Sequence, residues 1–213
     1  MCLFVNRSEG HIIDAREGSR YTHAMVYHVG IIGGGRMGTH HARAYTLNPG
    51  TEVVAVADTD EENRELFAGR FEAQPYPSFE KMLAAESLDI VGVILPVKAN
   101  AEAVVAAAES GSKAVFCEKP MTARLADADA MVEACERNNA AFAAGVIPRN
   151  YPEYWKARAM VVAGDLGEIT GINVYDPNGQ GGCHGINLAL MFAQDAQVEW
   201  AVGSVGADAH SDE

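Results

Sequence analysis

One short segment, Gly33-Gly-Gly-Arg-Met-Gly38, constrains the fold of this chain more than any other. It follows the apolar run Val29-Gly-Ile-Ile32 directly and precedes a stretch with helical spacing. The segment fits the pattern G-x-G-x-x-G, which alone is weak evidence because the chain contains 21 glycines in 213 residues. Its position between a strand-like run and a helix-like stretch makes it specific. The segment therefore predicts a tight turn from a strand into a helix.

The same alternation continues along the chain. Apolar runs lie at 26–32, 52–57, 90–95, 114–116 and 141–144, and stretches with helical spacing lie at 37–47, 61–71, 78–85, 99–109 and 126–138. Continuous apolar strands separated by helices are typical of a parallel sheet that is covered on both faces. The predicted fold class is α/β, with a doubly wound parallel sheet of the Rossmann type.

In this context the glycines predict a dinucleotide site. Gly33 permits the tight turn, Gly35 lets the backbone approach a pyrophosphate, and Gly38 lets helix and strand pack closely. The helix that follows offers unpaired N–H groups and the positive end of its dipole to the phosphates, so an acidic protein can bind this anion without a basic patch. Arg36 and Met37, which begin that helix, belong to the predicted cofactor-binding residues.

Asp58 comes directly after the second apolar run, twenty positions beyond Gly38. Its carboxylate would accept hydrogen bonds from the adenosine ribose and would repel a 2′-phosphate. Thr59 and Asp60 add no compensating cation, so NAD is favoured over NADP. In the alternative interpretation, the glycines make only a tight turn and Asp58 caps the following helix.

Leu95 and Pro96 lie at the carboxyl end of the apolar run that begins at Ile90. Ligands of open α/β sheets bind at the carboxyl ends of the strands, so both residues are predicted to touch the cofactor. In the alternative interpretation, Pro96 only ends the strand and the two residues form a plain loop.

The run Ala114-Val-Phe-Cys-Glu-Lys-Pro-Met-Thr122 presents two charges where a buried strand ends. Pro120 removes a backbone donor and favours an extended Lys119, so the strand is expected to end there. A carboxylate and an ammonium at the end of a buried strand are costly unless they have a function. Glu118 and Lys119 are therefore candidate site residues and are predicted to contribute to cofactor binding.

Composition restricts the partners. The formal net charge of −13 argues against general binding to nucleic acid or to an anionic membrane. No apolar run approaches the ~20 residues that span a bilayer. The four cysteines form no C-x-x-C pair, so we expect reduced thiols, no metal site and a cytoplasmic protein.

Three parts are predicted along the chain. Residues 1–24 show no clean period and are expected to be a disordered extension, with Met25 as a candidate natural start. Residues 25–146 are predicted to form an NAD-binding Rossmann domain. Residues 147–213 are predicted to form a short, incomplete α+β domain, with helices at 153–162 and 185–193 and strands at 168–175 and 198–206.

At Glu118-Lys119-Pro120 the pattern becomes recognisable, and the chain resembles the Gfo/Idh/MocA family. That family is named after glucose–fructose oxidoreductase, inositol dehydrogenase and a rhizopine catabolism protein. The matching segments are Gly33 to Ala44, Asp58, Leu95-Pro96, Glu118-Lys119-Pro120, Arg149 to Pro152, Gly164 to Glu168 and Gly181 to His184. They occur in the family's order over residues 26 to about 205.

The resemblance implies an NAD(P)-dependent oxidoreductase that acts on a sugar, a polyol or a related hydroxy compound. It implies that Lys119 lies near the nicotinamide and that His184 acts as the acid/base, with Glu118 holding the lysine in place. A lysine and a histidine suit the oxidation of an alcohol. The histidine can accept the hydroxyl proton, while the lysine ammonium stabilises the developing alkoxide. His40 and His41 are expected to be packing or surface residues.

The chain also departs from the family pattern. Gln180 and Asn187 stand where the family often has acids near the catalytic histidine, and Asn100 stands where it often has a histidine. The second domain is short for the family, and its exposed strand edges would favour pairing, for example in a homo-oligomer. The alternative function is therefore a catalytically weak NAD-binding protein, such as a sensor or partner subunit, or a fragment of a full-length dehydrogenase.

Overall fold

A computed structural model of the chain describes residues 26–175, 182–200 and 202. The chain divides into two compact units, the first ending at Val146 and the second beginning at Ile147. The predicted extension at 1–24, with the hypothesis about Met25, lies outside the described residues.

In the described part of the first unit, strands and helices alternate as the apolar pattern predicts. The strands are β1 Tyr27–Ile32, β2 Thr51–Ala57, β3 Gln74–Tyr76, β4 Ile90–Val93, β5 Ala114–Cys117 and β6 Ala141–Ala144. The helices are α1 Arg36–Thr46, α2 Glu61–Phe71, α3 Phe79–Ala85, α4 Asn100–Glu109 and α5 Leu125–Arg137, with a 3₁₀ turn at Val97–Ala99. The boundaries fall close to the predicted ones because apolar periodicity reports which face of each element is buried.

The six strands form one parallel sheet in the order β3-β2-β1-β4-β5-β6. This confirms the predicted doubly wound α/β fold. Strand β3 is not predicted by the apolar pattern. It has three residues, none fully buried, and Pro75 stands at its centre, where a proline is tolerated because β3 is an edge strand.

Two apolar clusters cover the two faces of the sheet. On one face, α1 and α2 pack against the strands, and the buried residues include Val29, Ile31, Ala42, Val56 and Phe67. On the other face, α3, α4 and α5 pack against the strands, and the buried residues include Met82, Val91, Val93, Val104, Val115 and Met131. Burying each large apolar side chain contributes roughly 1.5–3 kcal/mol. Because the sheet is packed on both faces, the residues that follow its strand ends are held in fixed positions.

The described residues of the second unit form a 3₁₀ turn at Ile147–Asn150 and two helices, α6 Pro152–Ala163 and α7 Gly182–Phe192. Tyr154 on α6 meets Phe192 on α7 edge to face, with ring centroids 6.3 Å apart. The Arg158 Nε donates to the carbonyl of Met191, at 3.2 Å, and so ties the two helices together. No helix among the described residues is long and apolar enough to cross a membrane.

The strand predicted at 168–175 is wrong. Residues 167–175 form neither helix nor strand, and Ile169, Ile172, Val174 and Tyr175 are exposed. A strand needs a neighbouring strand to satisfy its backbone, and no described residue of this unit supplies one. Of the strand predicted at 198–206, residues 198–200 and 202 are irregular and the others lie outside the described part. The described second unit is therefore helical, and its predicted β component is not observed there.

Candidate cofactor and catalytic site

The predicted site residues of the first unit gather at one edge of the sheet. The strand order reverses between β1 and β4, and in open parallel sheets ligands bind at this reversal, beyond the carboxyl ends of the strands. Gly33 follows β1, Asp58 follows β2, Leu95 follows β4 and Glu118 follows β5. The fold brings four separate predictions together at this edge.

The glycines of the fingerprint have different physical roles. Gly33 has a φ of +99°, and a Cβ there would overlap the carbonyl oxygen of Ile94. A Cβ at Gly38 would overlap the carbonyl oxygen of Gly33. These two glycines are required by the fold itself. A Cβ at Gly35 would meet no heavy atom within 4 Å beyond its chain neighbours and its own helix, so this glycine leaves open space rather than relieving a clash.

Helix α1 begins without the usual side-chain cap. Gly35 is its N-cap residue, and the first turn contains no acidic side chain. Helix α2, in contrast, begins after Asp60, whose side chain accepts a hydrogen bond from the Asn63 N–H, at 2.8 Å. An uncapped helix start offers backbone N–H groups to an anion. The exposed Arg36 in the same turn adds a positive charge, and Met37 beside it is half-buried.

Asp58 connects the ends of the first two strands. Its Oδ2 accepts a hydrogen bond from the Gly34 N–H at 2.7 Å, and its Oδ1 accepts one from the Asp60 N–H at 2.9 Å. The alternative in which Asp58 caps α2 is wrong, because Asp60 occupies that position. A carboxylate has about four lone-pair sites, so Asp58 can still accept hydrogen bonds from a ligand.

A cleft of about 300 Å³ opens beside Asp58. Its lining residues are Ile32, Ala57, Asp58, Thr59, Ser78, Phe79, Glu80, Leu95, Pro96 and Ala99. Leu95 and Pro96 therefore form part of a cleft wall. A mainly apolar cleft that is also lined by the acids Asp58 and Glu80, near an uncapped helix and an open glycine, fits the adenosine and phosphates of a dinucleotide. The described residues thus fit an NAD-type cofactor.

Glu118 is buried at the end of β5, with 6% of its surface exposed. Its Oε2 accepts a hydrogen bond from the backbone N–H of Lys119 at 2.7 Å, and its Oε1 lies 3.0 Å from the His41 Nε2. Glu118 therefore holds the backbone of the lysine. The side chain of Lys119 is partly exposed, and the peptide bond that joins it to Pro120 is cis.

The ionisation of Glu118 follows from these partners. Burial by itself raises the pKa of this carboxyl, but the hydrogen bonds from His41 and from the Lys119 amide outweigh burial, so its pKa lies below the usual range. Glu118 is therefore a carboxylate at neutral pH and can only accept hydrogen bonds. The His41 Nε2 must carry the proton that it shares with Glu118.

His41 contributes to this site in a way that the sequence pattern does not predict. The sequence favours a packing or surface role, and the ring does pack against Phe116, with centroids 4.8 Å apart. The additional contact with Glu118 joins residues 77 positions apart. One available signal is that His41 lies on the helix of the glycine fingerprint, so it is carried to the edge where the cofactor is expected.

Asn100 also reaches the Glu118-Lys119-Pro120 segment. Its side chain is buried, and its Nδ2 donates a hydrogen bond to the carbonyl of Pro120 at 3.2 Å. Its Oδ1 is buried and has no hydrogen-bond partner among the described residues. Asn100, one of the three residues that depart from the expected pattern, is thus in direct contact with the Glu118-Lys119-Pro120 segment.

His184 lies on α7 in the second unit. Its Nδ1 is buried and lacks a hydrogen-bond partner within the described ranges. Asn187, one turn later on the same helix, accepts a hydrogen bond from Arg149 at 3.5 Å. Gln180 lies outside the described residues. No group of three or more His, Cys, Asp or Glu side chains suited to a metal ion occurs in the described part of the chain.

Comparison with known proteins agrees with this geometry. The model of the Gfo/Idh/MocA family, described as "Oxidoreductase family, NAD-binding Rossmann fold", matches residues 27–146. The inositol 2-dehydrogenase 3 of Saccharopolyspora erythraea is 36% identical over 145 residues, which cover 67% of this chain and 43% of that protein.

Two solved structures share the fold. The myo-inositol 2-dehydrogenase of Lactobacillus plantarum matches with a TM-score of 0.63 and 28% identity, over 68% of this chain and 43% of that one. The WlbA dehydrogenase of Bordetella pertussis, in complex with NADH and UDP-GlcNAcA, matches with a TM-score of 0.64 and 25% identity, over 68% of this chain and 44% of that one. The chain spans less than half the length of these relatives.

Proposed function

Since the chain belongs to the Gfo/Idh/MocA family of oxidoreductases with an NAD-binding Rossmann fold, we propose that it is an NAD(P)-dependent oxidoreductase. It transfers a hydride between a nicotinamide cofactor and a sugar, a polyol or a related hydroxy compound. One observation carries the proposal. The glycine fingerprint, Asp58 and the Glu118-Lys119 pair all lie at the same edge of one parallel sheet.

In this proposal the first unit binds the cofactor through residues on three strand ends. Gly33 and Gly38 shape the turn, and Gly35, Arg36 and Met37 bring the start of α1 to the diphosphate. Asp58 accepts hydrogen bonds from the adenosine ribose, while Leu95 and Pro96 contact the cofactor from the wall of the cleft. NAD is preferred to NADP because both Asp58 and Glu80, which line the cleft, would repel a 2′-phosphate.

The chemistry proposed for the chain's own residues concerns the substrate oxygen. The bound nicotinamide supplies the hydride-accepting ring when the substrate is oxidised. Lys119 stabilises the negative charge that develops on the substrate oxygen, and Glu118 fixes the backbone of that lysine. His184 accepts the hydroxyl proton, which a neutral histidine can do.

The substrate class is supported by the relatives. Two of the proteins that match over about two thirds of this chain are named as inositol dehydrogenases. A polyol or sugar presents a secondary alcohol, from which one carbon loses a hydride while its oxygen loses a proton. These two transfers are the chemistry in which Lys119 and His184 are each assigned a task above.

The experiment combines binding with turnover. NADH binding is measured by fluorescence and calorimetry, and dehydrogenase activity is measured on a panel of inositols, polyols and sugars. We expect Lys119→Ala to lower kcat by on the order of 10²–10³, whereas the matched control Lys156→Ala, an exposed lysine on α6, should leave it unchanged. Absence of NADH binding at millimolar concentration would contradict the proposal.

A second candidate is a catalytically weak NAD-binding protein, such as a sensor or partner subunit, or a fragment of a longer dehydrogenase. It is favoured by Asn187, which bonds to Arg149 and carries no charge to stabilise a protonated His184. NADH binding without turnover on any member of the panel would select this candidate.

We further propose a cytoplasmic protein that forms a homo-oligomer. Cys117 and Cys135 are buried thiols without a disulfide, which suits a reducing compartment. The second unit exposes large apolar side chains, among them Trp155, Ile172 and Trp200, and such residues often mark an interface. Light scattering coupled to gel filtration would test the oligomeric state, and a monomer at all concentrations would contradict it.

A further inference from the structure

We propose that His41 is a positioning residue, which fixes the backbone of Lys119 by holding the Glu118 carboxylate in one orientation. The inference deepens the proposed function and rests on it, because it assigns a task to a residue that contacts the catalytic segment of the same site. It is built on contacts between α1 and the end of β5 within the first unit.

The two oxygens of Glu118 accept hydrogen bonds from two different groups. Oε1 takes the His41 Nε2–H, and Oε2 takes the Lys119 N–H, at 3.0 and 2.7 Å. A carboxylate with each oxygen bonded to a different group cannot rotate without breaking one of the two hydrogen bonds. Because Glu118 is buried, water cannot readily replace the lost partner. The orientation of the carboxylate therefore depends on His41.

The ring of His41 is also held in position by packing. It is held against Phe116, at a centroid distance of 4.8 Å and an interplanar angle of 48°. A Cβ on Gly145 would lie 2.9 Å from Phe116 and 3.4 Å from Oε2 of Glu118. The backbone of Gly145 therefore packs closely against both Phe116 and the Glu118 carboxylate. Packing thus fixes both the donor, His41, and the acceptor, Glu118.

The residue that follows Lys119 is held by a side chain as well. Asn100 donates to the carbonyl of Pro120 from α4. The residue before Lys119 and the residue after it are therefore each held by a side chain from a different helix. The backbone is fixed on both sides, while the lysine side chain stays partly exposed and can meet a substrate. Positioning of this kind lowers the cost of reaching the reactive geometry.

The test separates the hydrogen bond from the packing. His41→Phe keeps a ring against Phe116 but removes the Nε2 donor, and His41→Gln restores an N–H donor without the ring. The matched control is His40→Phe, the exposed neighbour on the same helix. The readouts are the NMR amide resonance of Lys119 with its hydrogen-exchange rate, the NADH dissociation constant, and kcat with KM for the best substrate.

We expect His41→Phe to shift the Lys119 amide resonance, to speed its exchange, and to lower kcat by on the order of 10- to 100-fold with a smaller change in KM. His41→Gln should recover part of each effect, and His40→Phe should show none. An unchanged Lys119 amide in His41→Phe overturns the inference, and so does a shifted amide with kcat unaltered. If the wild-type chain binds NADH without turnover, the proposed dehydrogenase activity is contradicted, but the role of His41 is not. In that case the comparison of the Lys119 amide between wild type and His41→Phe decides whether His41 positions this backbone.

Discussion

The backbone N–H of Gly34 donates a hydrogen bond of 2.7 Å to the Asp58 carboxylate. The acid that is expected to hold the ribose is therefore also a structural part of the glycine turn. A second bond from the Asp60 N–H orients the same carboxylate. Substitutions at Asp58 should accordingly affect both cofactor choice and the stability of the turn, and the two effects can be separated.

Asp58→Asn should weaken NADH binding about tenfold, because hydrogen bonds to a charged group contribute about 1.5–3 kcal/mol. Its affinity for NADPH should fall less, since the repulsion of the 2′-phosphate is removed. The variant keeps one acceptor oxygen, so its melting temperature should fall less than that of Asp58→Ala. Calorimetry with both cofactors and thermal melting of both variants measure this. Equal losses for NADH and NADPH would contradict the assigned role.

Gly38→Ala should lower the stability of the fold, whereas Gly35→Ala should weaken NADH binding. A Cβ at Gly38 overlaps the carbonyl of Gly33, so that variant should lose at least about 2 kcal/mol of stability. A Cβ at Gly35 meets no such atom within 4 Å, so that variant should stay folded. It should nevertheless bind NADH at least about tenfold more weakly, a loss of about 1.4 kcal/mol, because the methyl group occupies the space for the diphosphate.

These two variants are compared by urea unfolding and by NADH titration. Normal NADH affinity in a folded Gly35→Ala variant would show that the open space at this glycine is not where the phosphates bind.

Glu118→Gln should change how the free energy of unfolding depends on pH. The pKa of Glu118 in the folded chain lies below its unfolded value of about 4.3. Its ionised form therefore adds stability that is fully present above about pH 5 and is lost as the pH falls through the folded pKa. The variant should be less stable than the wild type at pH 7. The difference in their free energies of unfolding should become smaller toward pH 3.

Urea unfolding at a series of pH values measures that difference. The matched control is Glu109→Gln at the exposed end of α4, which should follow the wild type. A difference that is constant from pH 7 to pH 3 would contradict the ionised state assigned to Glu118.

Two thiols should resist modification in the native chain. Burial, with the nearby Glu118 charge, raises the pKa of Cys117 to about 12, and burial raises the pKa of Cys135 to about 11. At pH 8 both are therefore almost entirely protonated and shielded, and a thiol must lose its proton to react. A disulfide-exchange reagent should leave both unmodified until the chain is denatured. Rapid labelling of Cys117 in the native protein would contradict the packing of β5.

Much of the first unit could be predicted from sequence because its signals are local. Apolar runs of strand length, helical spacing between them and glycines that alone allow a positive φ or a close approach are all visible within about 15 residues. The prediction failed where a signal is short or depends on a partner. Strand β3 has only three residues, and the run at 168–175 has strand-like composition without a neighbouring strand to pair with among the described residues of its unit.

The sequence by itself determined the parallel α/β sheet, the glycine turn and the candidate charges of Glu118 and Lys119, because steric limits and apolar periodicity act between close neighbours in the chain. Only the tertiary structure decided what those groups contact. His41 reaches Glu118 across 77 positions, and Asn100 reaches Pro120 across 20. Such hydrogen bonds form because α1 and α4 pack on opposite faces of one sheet and both reach the segment that follows β5, a consequence of topology that no local pattern encodes.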